Sequence, residues 1–164
     1  MKYLTKPLIL ICIWTTFCLI SIAQDDPNPN SPAPVLISGA DRSRVLAVNA
    51  DEFRGMLPVL GRTVFKPGPA NEIVVFLNPL DLRSDESISA FRIYVTRPGG
   101  KTYELSPVSL TRSRRNELAI SLRLYDPSGF RGQPAADGDY WIYVTWRGLM
   151  SNPLKIGFGR AGGE

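Results

Sequence analysis

Leu118, Ile120, Leu122 and Leu124 alternate with Ala119, Ser121, Arg123 and Tyr125, and this strict period of two constrains the fold more than any other feature of the chain. Successive side chains of an extended strand point to opposite faces, so the segment suits a sheet with one dry side. A slip of one residue would turn every leucine to water, so the register is strongly specified. The same period recurs where Phe91, Ile93 and Val95 alternate with Arg92, Tyr94 and Thr96. Arg97-Pro98-Gly99-Gly100 follows as a turn, with Pro setting φ and Gly supplying the positive-φ positions, and it leads into Lys101 to Leu105. Ile73 to Leu77 is continuously apolar between Pro69 and Pro79, which suits a strand buried on both sides or under a loop. Further strands are predicted over Pro34 to Ser38, Val45 to Val48, Arg62 to Phe65, Tyr140 to Trp146 and Leu154 to Phe158. No long segment shows a helical period. About seven to nine short strands with turn signals roughly every 8–12 residues predict an all-β, immunoglobulin-like two-sheet β-sandwich.

That domain is expected to begin at Val35, because residues 1–34 read differently. Met1 to Ala23 carries Lys2 and Lys6, an apolar run from Pro7 to Ile22, and the small-residue end Ser21-Ile22-Ala23. Charge, core and cleavage site in that order are the layout of a signal peptide, a helix cut near Ala23. Left uncut, the run would serve as an N-terminal membrane anchor, although it falls short of the roughly 20 residues a spanning helix needs. Residues 24–34 place prolines at 27, 29, 32 and 34 and read as an extended spacer. Residues 35–160 then form the domain and 161–164 a tail. The address implies a secreted or periplasmic protein.

Removal of the leader takes both cysteines, Cys12 and Cys18, and the chain has no histidine at all. The mature chain therefore has no Cys or His nucleophile, no Ser-His-Asp triad, no disulfide and no zinc site of the usual kind. A domain exported without cysteine must be held by packing. Lys2 and Lys6 leave as well, so 17 basic residues face 15 acidic ones. The basic residues are dispersed apart from Arg112, Arg114 and Arg115, which read as a solvated turn between strands, and no nucleic-acid footprint is indicated.

Asp137-Gly138-Asp139-Tyr140-Trp141-Ile142-Tyr143-Val144 resembles the start of the penultimate strand of immunoglobulin-like domains. The resemblance implies structural roles for Gly138 and Tyr140 at a tyrosine corner, and for Ile142 where such domains place a disulfide cysteine. Val144 to Ile156, with its turn, its Ser151-Asn152-Pro153 and its last apolar strand, looks like the closing hairpin of bacterial immunoglobulin-like modules of the IPT/TIG type. That likeness covers Asp137 to Arg160 and their margins. It implies surface binding or spacing and carries over no catalytic residue.

With Tyr140, Ile142, Val144 and Trp146 facing the core, period two sends Trp141, Tyr143, Thr145 and Arg147 to the opposite face. Trp141 and Tyr143 would form a flat platform for a sugar or a protein, with Arg92 or Arg123 nearby to bond hydroxyls or carboxylates, unless a loop covers the rings. The loop Asp126 to Asp137 offers a second candidate contact at Phe130 and Arg131. Asp137 and Asp139, and Asp81, Asp85 and Glu86, read as turn formers, since calcium needs about six to eight oxygens. No metal or cofactor is expected. The expected function is a non-catalytic binding or structural module contacting a protein or a cell-envelope component. A carbohydrate-binding module using the aromatic face is the alternative, and a carboxylate-based hydrolase comes after it. Membrane contact is expected only through an uncleaved leader.

Overall fold

A computed structural model describes residues 32–66, 68, 70–124 and 137–160. The leader, most of the spacer, the tail, and Phe130 and Arg131 lie outside the described residues. The described chain is all-β, with nine strands: β1 Ala47–Asn49, β2 Val64–Phe65, β3 Glu72–Leu77, β4 Phe91–Thr96, β5 Thr102–Arg112, β6 Leu118–Arg123, β7 Gly138–Trp146, β8 Leu149–Met150 and β9 Leu154–Phe158. The strand order is β1-β3-β6-β5-β4-β7-β9-β2, with β8 paired to β7.

Strand β5 joins two ladders. Thr102 to Leu105 pairs with β4, whereas Ser106 to Arg112 pairs with β6, and the register shifts between Pro107 and Ser109. Sequence reading carried this strand only to Leu105, short of Pro107. Past Leu105 the strand has left β4 and become an edge, where proline is tolerated. Strand pairing is antiparallel except between β2 and β9, which run parallel, as does the isolated Arg44–Lys155 bridge.

Inward side chains from both ladders meet in one apolar core. Ile73, Val75 and Leu77 of β3 and Leu118, Ile120 and Leu122 of β6 join Phe91, Ile93 and Val95 of β4 and Tyr140, Ile142, Val144 and Trp146 of β7. Ile142 is fully buried, so packing fills its position. Tyr140 packs its ring on Phe158 with centroids 5.1 Å apart. Every buried hydrophobic of the described chain falls between Leu36 and Phe158.

The apolar run of β3 is buried on both faces, as its composition requires. Val74 and Phe76 point away from the main core into a second cluster with Leu46, Val48 and Ala119. The segment after β1 covers that cluster: Phe53 lies against Phe76 at 5.6 Å between centroids, with Ala50 and Leu57 beside it. Gly61 lets this segment return close to β1, since a Cβ there would lie 2.9 Å from both the Ala47 carbonyl oxygen and a Leu46 methyl.

Side chains complete the pairing where strands stop. Asn152 accepts a hydrogen bond from Leu36 N–H at 2.7 Å and donates to Leu36 O at 3.2 Å, standing in for a strand residue. Ser151 N–H donates to Val144 O at 2.8 Å, and its hydroxyl oxygen accepts from Val144 N–H at 2.9 Å. The Ser151-Asn152 pair thus ties the chain entry and the break between β8 and β9 to β7.

Candidate functional site

The face of β5, β4, β7 and β9 that points away from the core carries the candidate site. Period two in β7 buries Tyr140, Ile142, Val144 and Trp146 and turns Trp141, Tyr143 and Thr145 outward, as the sequence predicts. Trp141 is 37% exposed and Tyr143 half-buried. Register then decides their neighbours. Tyr143 lies opposite Tyr94 of β4, and their rings stack at 5.2 Å with 23° between planes. Trp141 lies between Thr96 and Lys155, whose ammonium is 5.8 Å from the indole centroid. Thr96 and Thr102 join hydroxyls at 2.8 Å on the next strand pair.

Glu104 continues the row beyond Tyr94 and receives a hydrogen bond from Arg92 at 3.4 Å. Three aromatic rings, two threonine hydroxyls, a carboxylate and an ammonium therefore share one face. Flat rings can stack on the apolar face of a sugar or hold hydrophobic side chains of a protein, while the polar groups around them fix orientation. Tyr94 is the ring that sequence reading did not select, and Thr96, Thr102, Glu104 and Lys155 were not selected either. The outward direction of Tyr94 is legible from the alternation in β4, but its position against Tyr143 is set only by the pairing of β4 with β7.

Arg147 does not continue the outward row. With Gly148 it forms the two-residue turn between β7 and β8, and both residues have positive φ, 49° and 76°. A turn of this kind matches the strand twist but ends the alternation at Trp146. The Arg147 guanidinium instead sits 4.1 Å over the Trp146 ring and donates to both Glu86 carboxylate oxygens at 2.6 Å. This hydrogen bonding holds the Glu86 carboxyl below its ordinary pKa and raises that of Arg147. Among the described residues, Trp146 Nε1 is buried with no hydrogen-bond partner.

The other candidates are dispersed. Arg92 is on the aromatic face, but Arg123 is on β6 in the other ladder, paired with Glu72 at 3.1 Å. Asp139 binds buried Arg44 through two hydrogen bonds, at 3.0 and 2.6 Å. Asp137 accepts from Arg160 N–H at 3.1 Å beside Gly138, whose φ is 134°. Glu86 and Asp81 stand at the opposite end of the strands, by the β7–β8 turn. Among the described residues, no three His, Cys, Asp or Glu side chains are grouped to hold a metal ion.

No protein-family model and no curated protein matches the chain. Among solved structures, it is similar to the crystal structure of the Lin-41 filamin domain, at 16% identity and a TM-score of 0.33, over 60% of this chain and 85% of that one. No helix of the described residues is long and apolar enough to cross a membrane.

Proposed function

We propose that this chain is an exported, immunoglobulin-like β-sandwich domain that binds a protein or cell-envelope component without transforming it, through the outer face of β4 and β7. Strand order supports the sandwich reading: β1-β3-β6-β5 and β4-β7-β9 follow the A-B-E-D and C-F-G sheets of constant-type immunoglobulin domains. The closing hairpin carries the IPT/TIG-type likeness. The leader supports export, and the mature sequence, lacking Cys and His, supports binding over catalysis.

The observation that carries the contact surface is the Tyr94–Tyr143 stack beside exposed Trp141. Folded domains bury large aromatics where they can, and rings gathered on an outer sheet face mark a place where a partner can desolvate them. A photo-crosslinking residue placed at Trp141 should capture the partner in the cell envelope, whereas one placed at Arg123 on the other ladder should not. Equal capture from both positions would sink this assignment.

The alternative is a carbohydrate-binding module, favoured by the flat stack with hydroxyls and charges at its rim. A glycan array probed with the wild type and with Trp141→Ala distinguishes the two. Glycan binding lost on substitution supports the module, and the absence of glycan binding leaves the protein partner.

A further inference from the structure

The segment that covers the second apolar cluster has an outer side as well. Phe53 and Leu57 turn inward, while Met56, Val59 and Leu60 point to solvent at 51%, 95% and 75% exposure. Exposed apolar side chains scattered singly are ordinary, but three within five residues of one loop form a patch. Asp51 and Glu52 precede the patch, and basic residues outnumber acidic ones around it. From Phe53 to Asn71 the sequence has Arg54, Arg62 and Lys66 and no acidic residue.

A second basic element is seated against this loop. Arg114 N–H donates to Gly55 O at 3.2 Å, which places the β5–β6 turn, with Arg114 and Arg115, against the residue before Met56. No side-chain hydrogen bond or ion pair holds either guanidinium among the described residues. Of the nearby acids, Glu52 pairs with Arg62 and the Glu117 carboxylate accepts from the Ser113 hydroxyl, while Asp51 stands beside Arg54, whose guanidinium donates to the Asp51 carbonyl. Leu36 bridges Leu77, and Leu77 pairs with Leu118, so residue 32 enters the fold at this same end. A leader still held in a bilayer would bring this end toward it.

The geometry points to Met56, Val59 and Leu60, with Arg114 and Arg115, as a docking site for an anionic lipid bilayer. Apolar tips enter the boundary between headgroups and acyl chains, and arginines at their rim pair with lipid phosphates. A second copy of the chain fits less well, since three side chains offer a few hundred Å² at most against roughly 800 Å² per partner in a stable dimer. Membrane contact then belongs to the folded domain itself and does not depend on retention of the leader.

Vesicle co-sedimentation of the chain from Gln24 onward, which keeps every buried hydrophobic of the described residues, tests the site. The protein should pellet with vesicles containing phosphatidylglycerol, much less with phosphatidylcholine alone, and progressively less as salt rises. Val59→Ser with Leu60→Ser should abolish pelleting, and each of Arg114→Ala and Arg115→Ala should weaken it about fivefold. Thermal midpoints of all four substitutions should match the wild type, because none of these side chains is buried. Trp141→Ala should pellet as the wild type does. No pelleting with phosphatidylglycerol at low salt overturns the proposal. So does pelleting that survives the tip substitutions, or that only Trp141→Ala removes.

Discussion

At the residue scale, the Glu86–Arg147 pair shows how one turn fixes several side chains. The left-handed backbone at Arg147 lets the guanidinium lie on Trp146 while both carboxylate oxygens of Glu86 accept from it. Glu86 is more acidic in the folded chain than in the unfolded one. The pair's stabilisation is therefore full above the ordinary glutamate pKa of about 4.3 and is lost as pH falls through the lower folded-state value. Glu86→Gln should cost about 1–3 kcal/mol near neutral pH, the worth of a charged hydrogen-bonded pair. The difference from wild type should shrink on acidification, as followed by denaturant unfolding at several pH values. A difference that stays constant with pH would remove the ionic account. The end of β7 at Trp146 was legible, but Arg147 was read as part of its outward row, because the alternation gives no warning of the left-handed turn there.

At the element scale, alternation located most strands and their ends to within about two residues, with β5 the exception. The continuous run in β3 and the alternating runs in β4, β6 and β7 read correctly because their apolar sets match a buried face. The extension of β5 through Pro107 was hidden, since its tolerance depends on the strand becoming an edge. The cover of Val74, Phe76 and Ala119 was hidden as well, because the segment after β1 has no period of its own. Phe53→Ala should cost about 1–3 kcal/mol, below the roughly 3–5 kcal/mol of a fully buried phenylalanine, and should speed protease cleavage between Arg54 and Arg62. Thermal unfolding and limited proteolysis measure both effects. An unchanged cleavage rate would mean that Phe53 is not what holds the segment down.

At the scale of the whole molecule, the fold is closed by pairings distant in sequence. Residue 36 is tied to residue 152, Arg44 to Asp139, and β2 to β9. Such topologies pay loop-closure entropy before their contacts form, so folding of the chain from Gln24 onward should take milliseconds to seconds in stopped-flow tryptophan fluorescence. Reductant should change neither the rate nor the stability, because no cysteine follows Cys18. Microsecond folding would contradict this account of the topology.

The sequence by itself determined most of the strands and the faces they bury, because a period of two converts directly into a dry and a wet side, although Pro34 to Ser38 forms only isolated bridges at Leu36 and Ser38. It also excluded imidazole chemistry from the chain and thiol chemistry from everything after Cys18, because composition needs no coordinates. Tertiary structure alone decided which outward residues become neighbours. Tyr94 meets Tyr143 through the register of β4 on β7, and Arg114 meets Gly55 through a turn resting on a covering loop. Pairing register and loop placement depend on the packing of segments far apart in the chain, and local pattern carries no record of that.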